Sequence, residues 1–155
     1  MRFIAWIFVV FTLTASAASA DPRYLDDRSS PEALIRSLYN AINRHEYARA
    51  WDYFETQPAK DFATYVKGFE GTASVKLVTG IETGDGAAGS IFFNMPVAIA
   101  ARNSDGQEKF FSGCYTVRQS NVPVEEPPFS PLRIFKASLK PSKQHSLAGS
   151  LPKDC

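Results

Sequence analysis

The sequence predicts an α+β domain in which N-terminal helices pack against one face of an antiparallel sheet. Up to Gly71, apolar residues recur three and four positions apart, which is the period of a helix face. Beyond Gly71 they recur at the spacing of strands. Asp85 and Asp105, each followed by glycine, mark two short hairpin connections between the strand-like segments. Helices followed by a four-strand antiparallel meander are typical of this fold class.

Three helices are predicted. The first begins at Ser30, an N-cap that is followed by Pro31 at the first helical position. A short second helix follows a break at residues 43–46, and a third begins near Pro58 and ends between residues 68 and 71. Their apolar faces carry Leu34, Ile35, Leu38, Tyr39 and Ile42, then Tyr47, Ala50, Trp51 and Phe54, then Phe62, Tyr65, Val66 and Phe69.

Four strands are predicted, near residues 74–81, 90–101, 108–118 and 132–139. The last two are joined by a proline-rich segment, residues 121–131, which is too long and stiff for a tight turn. The tail from Pro141 onward is polar and loop-like.

The second predicted strand, residues 90–101, is apolar on both of its alternating faces. A sheet with one face in water alternates more cleanly. We therefore expect the second face to be covered by the tail, by the proline-rich segment or by another subunit, and a homodimer through the outer sheet face follows from the last of these. Pro96 inside this strand predicts an edge strand or a bulge.

The first twenty residues have the features of a secretory signal peptide. Arg2 precedes an apolar run at residues 3–13, and Ala18-Ser19-Ala20 matches a small-x-small cleavage site. The run is shorter than the roughly 20 residues that cross a bilayer as a helix. We therefore expect cleavage after Ala20 and a soluble periplasmic or secreted protein without a membrane span, with a lead-in at residues 21–29 and one domain at residues 30–155.

The charge balance argues against a nucleic-acid or acidic-membrane partner. The chain has 17 Lys and Arg and 16 Asp and Glu residues, and loss of Arg2 with the signal peptide leaves 16 of each sign. Binding to polyanions needs a clustered positive field, which a balanced chain without basic runs does not predict.

No cofactor or metal site is predicted. Residues 84–89 match the pattern G-x-G-x-x-G, but they precede a strand instead of opening a helix, so we interpret them as a hairpin turn. His45 and His145 are the only histidines, and neither pairs with a cysteine at the spacing of zinc ligands. His45 is expected to face solvent in the turn between the first two helices.

Cys114 and Cys155 are the only cysteines. A nucleophilic Cys114 would need a nearby base or a positive helix end, and no histidine lies in the neighbouring predicted strands. In an oxidising compartment an even number of cysteines predicts a bridge, and Cys114–Cys155 is the one intrachain pairing. Intermolecular pairing through Cys155 is the alternative.

The segment from Ser30 to Phe54, SPEALIRSLYNAINRHEYARAWDYF, resembles the nuclear transport factor 2-like superfamily. Members commonly open with a long helix, a short turn and a shorter aromatic-rich helix. The resemblance implies a curved sheet that wraps around the first helix to form a cone with a pocket. It covers the first third of the mature chain in sequence and the remainder in element order. Between Phe54 and the third helix there is no room for the small strand pair of many members.

The resemblance alone assigns no activity, because the superfamily includes enzymes, binding domains and inert subunits. Its enzymes generally use acid–base groups that line the cone. The cores of the four predicted strands contain no Asp, Glu or His, which leaves Asp52 and Asp61 on helices as acids. We therefore predict no catalytic residue and favour a non-catalytic accessory domain that binds a small apolar ligand or a protein partner. An acid–base enzyme using Asp52 or Asp61 with a tyrosine, and a structural envelope protein, are the alternatives.

A cone fold leaves part of its aromatic core as an apolar cavity with a few polar groups at its wall. The candidate polar groups of this pocket are Tyr39, Trp51, Tyr65, Asn94, Tyr115 and Arg118.

Overall fold

Three helices precede five antiparallel strands in the computed structural model, which describes residues 22–123, 125 and 129–155. The helices are α1 Pro31–Asn43, α2 Tyr47–Asp52 and α3 Phe62–Lys67, and the strands are β1 Thr72–Thr79, β2 Thr83–Ala87, β3 Ser90–Asn103, β4 Glu108–Ser120 and β5 Leu132–Pro141. The α+β class is therefore confirmed. The signal peptide predicted for residues 1–20 and the middle of the proline-rich segment lie outside the described residues.

The helix starts follow from side-chain caps. The Ser30 hydroxyl accepts a hydrogen bond from the Ala33 amide, and Pro31 opens α1, as predicted. The third helix starts later than expected. The Asp61 carboxylate accepts a hydrogen bond from the Thr64 amide at 2.7 Å, so the helix begins at Phe62 and not near residue 58.

The sheet is built around β3, which pairs with β4 on one side, and β5 follows β4. On its other side, β3 pairs with β1 along its C-terminal half and with β2 along its N-terminal half. The prediction of four strands was wrong, because it missed β2. The residues predicted as a turn at Asp85 lie inside β2. The chain reverses instead at Ala88 and Gly89, which both have positive φ, as a two-residue type I′ turn requires.

Pro96 lies in the central strand β3, so the prediction of an edge strand was wrong. The pairing of β1 ends at Val97, and that of β2 begins at Asn94. Between these points the Pro96 carbonyl accepts a hydrogen bond from the Gly80 amide at 2.8 Å. Because the N–H and C=O of one strand residue point to the same side, the N–H that proline lacks would face the gap between β1 and β2. The irregularity at Pro96 is therefore the gap between its pairing partners β1 and β2, and β3 itself continues through it.

The two faces of the sheet are covered differently. The face that packs against α1, here called the inner face, carries the buried side chains of Met95, Val97 and Ile99. Alternate residues Ala98 and Ala100 point to the outer face and are also buried. A short 3-10 helix in the tail, Ala148–Ser150, contacts β3 and β4. The tail is thus one of the coverings expected for the second face.

Cys114 and Cys155 lie at disulfide-bonding distance, as predicted, with Cα atoms 5.9 Å apart. Cys114 lies on β4 opposite Pro96, on the outer face, and Cys155 is the last residue. The pair therefore fastens the tail across the sheet.

The described part of the lead-in, residues 22–29, is held by hydrogen bonds to its backbone. Arg44 donates to the Pro22 carbonyl, Asn40 to the Arg23 carbonyl and Arg49 to the Leu25 carbonyl. Within the part of the chain that the structure describes, no helix is both long and apolar enough to cross a membrane.

Candidate functional site

A cavity of about 260 Å³ lies between the helices and the inner face of the sheet. Its described lining is apolar except for three tyrosines and one threonine, and consists of Leu38, Tyr39, Ile42, Phe54, Pro58, Tyr65, Gly68, Phe69, Thr72, Val75, Ile99, Ala101, Phe111, Tyr115, Ala137 and Leu139. Pro58, Gly68 and Ala137 are exposed and form the mouth, whereas Tyr39 and Tyr115 are buried.

The spacing of the lining residues along the helices and strands explains why they share one cavity. Leu38 and Ile42 are four positions apart on α1, so both face the sheet. Ile99 and Ala101 on β3, like Ala137 and Leu139 on β5, are two positions apart and share the inner face. The cavity therefore forms where one helix face meets alternate residues of several strands.

Three tyrosines supply the buried polar side-chain atoms of the wall, and Thr72 in the lining is only half-buried. The hydroxyl groups of Tyr39 on α1 and Tyr115 on β4 form a hydrogen bond of 2.8 Å, and their rings meet edge to face. Tyr65 on α3 is 8% exposed, and its buried hydroxyl has no hydrogen-bond partner among the described residues. Buried hydroxyls are normally paired, so the Tyr65 hydroxyl is an exception that needs an explanation.

Burial keeps these phenols protonated. Burial raises the pKa of Tyr115 to about 12. It also raises the pKa of Tyr39 and Tyr65 well above the usual value, with a smaller contribution from neighbouring tyrosines. All three therefore carry an O–H near neutral pH, and each has a proton to donate.

An aromatic cluster holds Tyr65 in place. The rings of Trp51, Phe54 and Phe69 contact the Tyr65 ring edge to face, with centroids 5.3, 6.3 and 5.1 Å away. Trp51, a predicted pocket residue, packs against Tyr65 and Phe62 and is not part of the cavity lining. Its contribution to the site is to fix the orientation of the Tyr65 ring.

Asn94 and Arg118 lie on the outer face and not in this cavity. The Thr116 hydroxyl donates to Asn94 Oδ1 at 2.9 Å. Arg118 donates to the Ser90 hydroxyl at 2.9 Å and pairs with Glu55 at 2.6 Å. Of the six predicted pocket residues, the structure brings together only the three tyrosines. Arg118 is three positions from Tyr115, and an odd spacing places two residues of a strand on opposite faces.

The two aspartates considered as acids also lie away from the cavity. Asp52 is exposed and pairs with Arg28, and Asp61 caps α3. His45 is exposed in the turn between α1 and α2, as expected, and its Nδ1 lies 2.9 Å from the Tyr47 hydroxyl. Among the described residues no group of three His, Cys, Asp or Glu side chains could hold a metal ion.

The mouth of the cavity was missed in the sequence. Pro58 and Gly68 were interpreted only as signals of a helix start and end, and Ala137 as part of a strand. No local pattern indicates that they meet.

Comparison of the chain with protein-family models, with curated proteins and with solved structures finds no match.

Proposed function

We propose that this protein is a secreted or periplasmic, non-catalytic accessory domain that binds a small apolar ligand in the cavity. The observation that carries the proposal is the cavity of about 260 Å³ with a nearly apolar lining. An apolar cavity of about 150 Å³ in another protein binds benzene, so in proportion this one holds about ten non-hydrogen atoms. Apolar pockets with a few well-placed polar groups are typical ligand sites.

The chemistry of the lining supports binding over acid–base catalysis. No Asp, Glu, His, Lys, Arg or Cys belongs to the described lining. A general base works best with a pKa near the ambient pH, whereas burial raises the pKa of the three tyrosines further above it. The phenols are therefore suited to donating hydrogen bonds to a ligand.

The proposal includes a cone-shaped fold of the nuclear transport factor 2-like type. Its support is the order of three helices before an antiparallel sheet, together with a cavity between α1 and the inner sheet face. Secretion is supported by the predicted signal peptide and by the proximity of Cys114 to Cys155, since disulfides persist in oxidising compartments.

A protein partner, including a second copy of the chain, remains part of the prediction. The tail covers the region around Ala98 and Ala100, so a partner would use the rest of the outer face. Phe135, which is 42% exposed and contacts Phe92 edge to face, lies on that remainder.

Ligand binding is tested by closing the mouth. We expect Ala137→Phe to abolish the saturable binding of a neutral apolar probe of the right size, such as naphthalene, because the new ring lies at the entrance. Ser138→Phe is the matched control, since Ser138 is exposed on the same strand but borders the outer face. Fluorescence titration measures both. Absence of saturable binding in the unmodified protein, or equal binding by both variants, would contradict the proposal.

A further inference from the structure

The three tyrosines of the cavity carry more hydrogen-bond donors than the protein uses. Each neutral phenol has one O–H. The contact between Tyr39 and Tyr115 uses one of the three, since one hydroxyl donates and the other accepts. Neither hydroxyl has another hydrogen bond among the described residues, and the Tyr65 hydroxyl has none. Two phenolic O–H donors therefore have no partner among the described residues at the wall of a largely apolar cavity.

Two unpaired donors in the lining of one cavity favour a ligand atom that accepts two hydrogen bonds. A carbonyl oxygen has two lone pairs and no proton, so it accepts two hydrogen bonds and asks for no acceptor in return. A hydrocarbon would leave both donors buried and unpaired, which is unfavourable. The donor count thus distinguishes a carbonyl compound from a hydrocarbon of the same size.

The lining also argues against a charged ligand group. A buried carboxylate needs a compensating cation, and a buried ammonium needs a carboxylate. Neither kind of side chain belongs to the described lining of the cavity. The polar group of the ligand is therefore neutral.

We propose that the ligand is a neutral apolar molecule of about ten non-hydrogen atoms whose carbonyl oxygen accepts hydrogen bonds from Tyr65 and from the Tyr39–Tyr115 pair. The proposal names the ligand class for the binding function proposed above and rests on it. Ketones, aldehydes and esters belong to this class.

The test compares three aromatic probes that each have about ten non-hydrogen atoms, a size set by the cavity. Propiophenone carries a neutral carbonyl, butylbenzene has none, and phenylacetate carries a carboxylate. Dissociation constants are measured by displacement of naphthalene. We expect propiophenone to bind the unmodified protein about five- to tenfold more tightly than the other two, as a net hydrogen bond predicts.

The variant Tyr65→Phe keeps the aromatic ring and removes the free donor. We expect it to weaken propiophenone binding about five- to tenfold and to leave butylbenzene binding unchanged. Tyr47→Phe is the control, because the Tyr47 hydroxyl contacts His45 outside the cavity. Infrared spectra should show the bound carbonyl stretch at lower frequency than in an alkane solvent, and at higher frequency in Tyr65→Phe than in the unmodified protein.

The outcomes separate the two proposals. Equal binding of propiophenone and butylbenzene, with no effect of Tyr65→Phe, would overturn the carbonyl assignment and leave apolar binding intact. Tighter binding of phenylacetate would overturn the neutral class. If none of the probes binds, both proposals are wrong.

Discussion

At the scale of single residues, Tyr39 and Tyr65 carry the same hydroxyl group in similar apolar surroundings, but among the described residues only the Tyr39 hydroxyl has a hydrogen-bond partner. A paired buried hydroxyl contributes to stability, whereas an unpaired one is desolvated without compensation. We therefore expect the Tyr65 hydroxyl to lower the stability of the ligand-free protein, and a bound acceptor to recover the loss.

Removal of the Tyr65 hydroxyl and removal of the Tyr39 hydroxyl should therefore change the free energy of unfolding in opposite directions. We expect Tyr65→Phe to raise the free energy of unfolding by about 1 kcal/mol, because an unpaired buried group is lost. Tyr39→Phe should lower it by about 1 kcal/mol, because the Tyr115 hydroxyl then loses its partner. Urea unfolding without ligand measures both changes. A loss of stability in Tyr65→Phe would show that its hydroxyl is already satisfied.

At the scale of elements, β2 shows why the strand count was underestimated. Its residues, Thr83–Ala87, contain two glycines and an aspartate and have the composition of a turn. They form a strand because β3 is 14 residues long and extends beyond β1, which leaves free backbone groups for a partner. By contrast, α1 begins where its cap and proline predict, since those signals are local.

The pairing of β4 with β5 depends on a glycine. A Cβ atom at Gly113 would overlap the Ser138 carbonyl oxygen of the neighbouring strand. We expect Gly113→Ala to lower the free energy of unfolding by about 3 kcal/mol, at the upper end of overpacking effects, because backbone and not a side-chain tip must move. Thermal and urea unfolding measure the change.

Gly86 on β2 is the control for this prediction. Apart from its two neighbours along the chain, no described residue lies within 4 Å of a Cβ atom added there, and Gly86 is exposed. Gly86→Ala should change stability by no more than about 0.5 kcal/mol, as surface substitutions usually do. Equal effects of the two substitutions would contradict the close approach at Gly113.

At the scale of the whole molecule, the two faces of the sheet have different structural roles. Its inner face and the helices enclose the cavity, and its outer face carries the tail that the Cys114–Cys155 pair fastens. Because the two features lie on opposite faces, loss of the cross-link should release the tail and leave the cavity residues in place.

The cross-link is predicted to stabilise the fold by about 4 kcal/mol, because it closes a loop of 41 residues in the unfolded chain. The double variant Cys114→Ser with Cys155→Ser should lose about that much unfolding free energy and still bind the apolar probe. Intact mass before and after alkylation without reductant tests the bond itself. Two alkylated thiols in oxidised, folded protein would disprove the pairing.

The sequence by itself determined the features that depend on neighbours along the chain. Ser30 and Pro31 define the start of α1, the change of period after Gly71 separates helices from strands, and two cysteines allow one intrachain pair. These signals succeed because capping and periodicity act over a few residues, and because a single pair has a single connectivity.

Only the tertiary structure decided the site. Tyr39, Tyr65 and Tyr115 come from three different elements, and they line one cavity because the helices lie over the inner face of the sheet. Asn94 and Arg118 have similar polar character in the sequence, but the pleat turns them to the outer face. Which side chains converge depends on strand register and helix packing, and these are set by contacts between residues far apart along the chain.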